Sequence, residues 1–165
     1  MIRTLLSLFQ KKMLILLIIM LIISPVFLGI NTYTICLVQS HYLTVYLNNV
    51  YLLALYQYSS YLNTMSPFLI TRMKESKFYT YSYLCILLIS MIYTLTIYIS
   101  YYFFFGAIPS DTFQITVIFM ILNIIVIGIE STILYMQIGQ KKNFIYLVLP
   151  IVINFMFHMI FTSLI

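Results

Sequence analysis

Residues 113–136 read FQITVIFMILNIIVIGIESTILYM and decide the fold class, because the run contains a single charged residue, Glu130. A helix needs about 20 apolar residues to cross the hydrocarbon core of a bilayer. The whole chain has the same character: it has 165 residues, 64% hydrophobic and 7% charged, with a mean hydropathy of +1.09. An ordinary soluble domain carries about 25% charged residues. The composition therefore excludes a soluble fold and a disordered chain and predicts an integral membrane protein.

Apolar runs separated by short polar connections predict an all-α polytopic fold with five transmembrane helices in one domain. The predicted spans cover residues 13–30, 43–66, 79–104, 113–136 and 144–165. Pro67 is expected to end the second helix, because proline lacks a backbone donor and clashes with the preceding turn. The second span is rich in Asn, Gln, Ser and Tyr, so we expect much of its circumference to contact protein.

Residues 1–12 precede the first span and carry three basic residues. Ile2, Leu5, Leu6 and Phe9 fall on one helical stripe, which is typical of an amphipathic helix lying in the membrane interface. A plain charged lead-in to the first span is the alternative. The long apolar run after Lys12 lacks a following small-residue cleavage site, which argues against a cleaved signal peptide.

The basic residues indicate an orientation. With the N-terminus inside and the C-terminus outside, every one of the eight lies on the cytoplasmic side: Arg3, Lys11, Lys12, Arg72, Lys74, Lys77, Lys141 and Lys142. This distribution follows the positive-inside rule for short loops. The net charge of +5 is therefore read as an orientation signal, and no nucleic-acid partner is expected. Heavy use of Ile, Leu, Tyr and Phe suits a low-GC bacterium, so we expect a bacterial cytoplasmic membrane.

Four polar residues inside predicted spans are candidates for function. Glu130 is an ionisable group within span four, and such groups are functional candidates by default. Asn123 lies seven residues before it, and Thr116 a further seven, so the three share one helix face. Asn154 and His158 lie one turn apart in span five. Each could instead serve helix packing, and the depths of Glu130 and His158 argue against a direct pair.

No residue pattern predicts catalysis, a cofactor or a metal. A nucleophile needs a base within about 3 Å, yet Cys36 and His41 lie on the outer connection whereas Cys85 lies near the inner end of span three. The two cysteines match no disulfide or metal pattern. HExxH motifs, paired intramembrane aspartates and the GxxxxGK[ST] loop are missing from the sequence. We therefore expect a protein that is not an enzyme.

The segment Ser66–Tyr79, SPFLITRMKESKFY, together with a basic amphipathic N-terminus, resembles the membrane subunits of bacterial ABC exporters that handle drugs, antimicrobial peptides and lantibiotics. The resemblance covers about residues 1–105. It implies that residues 67–79 dock on a separate cytoplasmic ATPase, with Arg72, Lys74 and Lys77 as docking residues, and that the cargo is a peptide or amphipathic compound. That family usually has six spans, so five spans leave open a shortened permease or an accessory subunit.

Two other functions remain open from the sequence. One is a membrane interaction protein without transport activity, such as a bacteriocin immunity or regulatory factor. The other is a proton-coupled carrier that uses Glu130. In each case the polar faces of spans two, four and five are expected to contact other helices, either of further membrane subunits or of a second copy.

Overall fold

The computed structural model describes residues 11–28, 42–107, 110, 113–141 and 143–164. Within these ranges the chain is helical and contains no strand. Five helices follow one another: α1 (Lys11–Leu28), α2 (Tyr42–Arg72), α3 (Glu75–Phe105), α4 (Phe113–Tyr135) and α5 (Ile145–Leu164). The predicted all-α fold is thereby confirmed. The predicted interfacial segment lies outside the described residues except for Lys11 and Lys12, which begin α1; Cys36 and His41 also lie outside them.

Two helical segments are long and apolar enough to cross a membrane among the residues described, Glu75–Phe104 and Phe113–Tyr135. Shorter apolar segments occupy Leu14–Ile23 and Ile145–Ile160. The crossing of all five helices, and their orientation, stays a prediction at this point.

The expectation that Pro67 ends the second helix is wrong, because α2 continues through Pro67 to Arg72. A proline leaves the carbonyl one turn earlier without its helical donor, and for Pro67 that carbonyl belongs to Asn63. The hydroxyl of Ser66 donates to this Asn63 carbonyl at 2.7 Å. A neighbouring side chain thus supplies the hydrogen bond that the proline cannot give.

The connection between α2 and α3 is correspondingly shorter than the predicted charged loop. Only Met73 and Lys74 separate the helices, and Lys74 has an extended backbone with φ −57° and ψ 140°. Glu75 and Lys77 belong to the first turn of α3. The two helices form a tight hairpin.

α2 occupies the middle of the bundle, since it packs against each of the other four helices. α1, α3, α4 and α5 follow one another around it, with α3 contacting α1 and α4, and α4 contacting α5. Four α2 leucines are at most 1% exposed: Leu47, Leu52, Leu55 and Leu62. The expectation that much of the circumference of this polar helix contacts protein is confirmed, although Tyr46, Leu53 and Tyr61 are exposed.

Candidate functional site

The three α4 residues that repeat every seven positions face the interior of the bundle. Thr116, Asn123 and Glu130 are 3%, 4% and 1% exposed, respectively. The amide nitrogen of Asn123 donates to the hydroxyl of Tyr98 in α3 at 2.6 Å. This face of α4 therefore forms part of the contact between α3 and α4.

Three hydroxyl groups meet where α2, α3 and α4 come together. The Ser90 oxygen lies 2.7 Å from the Tyr51 hydroxyl and 2.6 Å from the Ser131 hydroxyl. Ser90 also donates to the carbonyl of Ile86, one turn earlier, at 2.8 Å. A hydroxyl has one proton and two lone pairs. With its proton on Ile86, Ser90 accepts from both Tyr51 and Ser131, so one oxygen joins three helices.

A second tyrosine extends this cluster. The ring of Tyr93 stacks on Tyr51, with centroids 3.8 Å apart and an interplanar angle of 4°. Its hydroxyl donates to the side-chain oxygen of Asn48 in α2 at 2.8 Å. We call this cluster the polar centre; it comprises Asn48, Tyr51, Ser90, Tyr93, Glu130 and Ser131.

Glu130 completes the polar centre beside Ser131. Its Oε1 is buried without a hydrogen-bond partner among the described residues. The carboxyl lies within electrostatic range of the hydroxyls of Tyr51 and Tyr93. The other described acid, Glu75, lies at the far end of α3. Buried polar groups usually have hydrogen-bond partners, and this carboxyl oxygen departs from that rule. Glu130 is therefore the strongest candidate for a functional residue in this cluster.

The polar centre lies deep in the bundle, although Glu130 is close to the end of α4. Glu130 is five residues before the end of α4, but its neighbour Ser131 contacts Ser90. Ser90 is about 22 Å along α3 from Glu75, at 1.5 Å per residue. The reason is that α2 and α3 have 31 residues each and extend past α4.

Asn154 joins α5 to α2. Its amide nitrogen donates to the Asn49 side chain at 2.8 Å and to the carbonyl of Val45 at 3.2 Å. His158 lies one turn further along α5 and is partly buried. The structure thus places Asn123, Glu130 and Asn154 in the interior, the first two on one face of α4 and Asn154 where α5 contacts α2.

The connection between α4 and α5 is held against α2. Asn63 uses both ends of its amide: its nitrogen donates to the carbonyl of Gln140 at 2.8 Å, and its oxygen accepts from the backbone N–H of Gly139 at 2.9 Å. Nearby, Gln137 donates to the hydroxyl of Ser60 at 2.7 Å. At this level the α4–α5 connection contacts α2, and Leu69, Ile70 and Met73 beyond it still pack against the buried core.

The hairpin tip, residues 64–77, extends beyond that level. Arg72 lies about 13 Å further along α2 than Asn63. Arg72, Lys74 and Lys77 are all exposed. Lys141 follows the Asn63-bound Gln140, so it lies at the same end of the bundle. The predicted docking residues are thus gathered on one projecting element.

An apolar cavity of about 410 Å³ lies between α1 and α3 and reaches the polar centre. Leu14, Leu17 and Ile18 line it from α1, and Tyr51 and Tyr93 line it from α2 and α3. The cavity therefore contacts two residues of the polar centre.

Sequence reasoning identified Glu130 and Asn123 but missed Tyr51, Ser90, Tyr93 and Ser131. Their hydrogen bonds join residues 39 to 45 positions apart, and single hydroxyl residues in apolar helices carry no spacing signal. The many polar residues of α2 were the available indication. In the described part of the chain, no group of three or more His, Cys, Asp or Glu gathers around a metal-sized site. Cys85 is a free, buried thiol.

Comparison of the chain with protein-family models, with curated proteins and with solved structures finds no match.

Proposed function

We propose that this chain is a multi-pass protein of a bacterial cytoplasmic membrane and a non-catalytic subunit of a larger transport complex. All five helices cross the bilayer, with the N-terminus in the cytoplasm and the C-terminus outside. A cytoplasmic ATPase docks on the hairpin tip. The observation that carries the proposal is the projection of an exposed basic hairpin from a bundle with an apolar exterior.

The distribution of polarity supports membrane insertion of the whole bundle. Every helix exposes large hydrophobic side chains, for example Ile15, Ile99, Ile118 and Met159, which are 56%, 65%, 57% and 69% exposed. Glu130 and several Asn, Gln, Ser and Thr side chains are buried instead. A soluble bundle places these classes the other way round. Lipid is the solvent that accepts such an exterior.

The charge distribution supports the orientation. Arg72, Lys74, Lys77 and Lys141 lie at one end of the bundle, where α2 and α4 end and α3 and α5 begin. The opposite end of α3 is formed by Tyr101–Phe104, an aromatic cluster typical of a membrane interface. An excess of cations at one end favours its retention on the cytoplasmic side.

The shape of the hairpin tip supports a docking role. It projects about 13 Å past the neighbouring connection, and Phe68 is 70% exposed beside the exposed cations. Exposed aromatic and arginine residues are enriched at protein interfaces. An acidic partner surface would complement this tip. The resemblance to ABC exporter subunits suggests that the partner is an ATPase and that the cargo is a peptide or an amphipathic compound.

The test is purification of the tagged full-length chain in mild detergent, with identification of every co-purifying protein. We expect a nucleotide-binding ATPase and further membrane chains. Reversal of the tip charges in the triple variant Arg72→Glu, Lys74→Glu, Lys77→Glu should lower ATPase recovery at least tenfold. Lys141→Glu is the matched control, because it reverses a charge at the same end but off the tip.

Unchanged ATPase recovery with the triple variant would refute docking at the tip. Recovery of a membrane-active peptide without an ATPase would refute the transport role and favour an interaction protein of the immunity or regulatory class. Equal loss with Lys141→Glu would reduce the effect to general electrostatics at this face of the membrane.

A further inference from the structure

A groove runs along the outer surface between α3 and α4. It consists of two adjoining cavities of about 430 and 400 Å³ that share Tyr83, Thr132 and Met136 as lining residues. Tyr83 and Thr132 face each other across it, with hydroxyl oxygens 3.3 Å apart. The groove is therefore a continuous feature that spans the middle and the basic end of the bundle.

The hydroxyl-bearing residues of the groove are gathered toward its basic end. Leu87, Ile125 and Ile129 line the cavity nearer the middle of the bundle. Ser76, Tyr79, Thr80 and Tyr135 line the cavity nearer the hairpin tip, and each carries a hydroxyl. Both cavities have a mainly apolar lining, so an occupant that fits them is largely apolar and places its polar portion among the hydroxyl-bearing residues at the basic end.

Cations flank the polar end of the groove. Lys77 is exposed and lies one turn before Thr80 on α3. Tyr79 packs so closely on Gly139 that a Cβ there would meet the Tyr79 hydroxyl at 2.7 Å, which puts Lys141 near the same end. Glu75 is the acid described at this end. Lysine and arginine outnumber it, so the end favours an anionic group.

We infer that this groove binds one phospholipid with an anionic headgroup. One acyl chain lies along Leu87, Ile125 and Ile129, and the phosphate and headgroup lie beside Ser76 and Tyr79. Lys77 and Lys141 supply the opposite charge. The inference rests on the membrane insertion proposed above. It adds a specific lipid as a partner and does not depend on the ATPase.

Gly128 keeps the apolar part of the groove open. It lines the cavity, and a Cβ built on it meets nothing within 4 Å. The Cβ of a larger side chain at this position therefore meets open space, and the atoms beyond it extend into the groove. Gly128→Leu is a variant that removes the site while leaving the surrounding packing in place.

The experiment uses the absence of tryptophan from the sequence. Leu87→Trp places a single fluorophore in the groove, and Leu88→Trp places one at the same depth on an exposed position outside it. Each full-length variant is reconstituted in vesicles of phosphatidylcholine and phosphatidylglycerol, with one lipid or the other brominated on its acyl chains. Quenching then reports which lipid occupies the site beside the fluorophore.

We expect the Leu87→Trp position to prefer phosphatidylglycerol by about fivefold, the effect of about one cation near the headgroup, and the Leu88→Trp position to show no preference. Adding Gly128→Leu should abolish the preference, and adding Lys77→Gln with Lys141→Gln should reduce it toward one. Equal quenching by both lipids at Leu87→Trp, or a preference that survives Gly128→Leu, would overturn the lipid site. If neither brominated lipid quenches the fluorescence of Leu88→Trp, membrane insertion itself is overturned.

Discussion

Polar side chains have different hydrogen-bond partners in the bundle interior and in the hairpin tip. α2 passes through both regions. Within residues 45–63, the side chains of Asn48, Tyr51, Ser59 and Asn63 have partners on other helices or on the α4–α5 connection. Within residues 64–72, the hydroxyls of Thr64, Ser66 and Thr71 all bond to carbonyls of α2 itself. The polar side chains of α2 thus change from bonding to other elements to bonding to their own helix, while Leu69 and Ile70 still pack against the core.

This difference has a consequence for substitutions. A buried group is constrained by the partners it would leave unpaired and by the space it would vacate. An exposed group on the tip has water as an alternative partner. Matched substitutions in the two regions should therefore differ in cost, and the size of the difference measures how sharply the regions are separated.

The largest contrast is expected between the two described glutamates. Glu130→Lys introduces a buried cation that has no acid nearby among the described residues, and such an uncompensated charge costs at least about 3 kcal/mol. Glu75→Lys makes the same change on the exposed tip, where surface substitutions stay within about 0.5 kcal/mol. Thermal unfolding and the yield of monodisperse protein in detergent measure the effect. Equal tolerance of both variants would contradict the burial of Glu130.

An intermediate contrast is expected for apolar side chains of α2. Leu55 is 0% exposed and Phe68 is 70% exposed. Leu55→Ala leaves a cavity and should destabilise the bundle by about 2–5 kcal/mol, whereas Phe68→Ala should change the free energy of unfolding by less than about 0.5 kcal/mol. Unfolding of the reconstituted protein by denaturant compares the two. A larger loss from Phe68→Ala would show that the tip packs against further protein.

The sequence predicted the interior in outline because periodicity records which face of a helix is buried. Thr116, Asn123 and Glu130 repeat every seven residues, and this alone places them on a common face. For α1, α3, α4 and α5, each predicted limit lies within four residues of the end of the helix as the structure describes it. Apolar length and short polar connections carry this information locally along the chain.

The hydrogen bonds of the polar centre and the helical extension of the tip could not be predicted from local sequence patterns. The link from Tyr51 through Ser90 to Ser131 depends on the relative register of three helices, which no local pattern records. A proline-based rule predicts a helix end at Pro67. That rule takes no account of the Ser66 hydroxyl, which bonds to the carbonyl that the proline leaves without a donor, or of Leu69 and Ile70, which pack against the core beyond it.

The smallest contrast tests the boundary between the two regions, at Asn63 and Thr64. Asn63 joins α2 to the α4–α5 connection through two hydrogen bonds, whereas the hydroxyl of the adjacent Thr64 bonds to the carbonyl of Ser60 in its own helix. Asn63→Ala should therefore cost about 1–2 kcal/mol, and Thr64→Ala less than about 0.5 kcal/mol. Hydrogen exchange at the backbone N–H of Gly139 gives a direct measurement, because this donor loses its acceptor in Asn63→Ala.

We expect exchange at Gly139 to accelerate about tenfold in Asn63→Ala, which corresponds to about 1.4 kcal/mol of lost local stability, and to be unchanged in Thr64→Ala. Comparable acceleration in both variants would mean that the connection is loosened by any change in this turn of α2, and that the interior has no sharp limit at Asn63. Acceleration confined to Asn63→Ala would show that this one side chain holds the α4–α5 connection against α2.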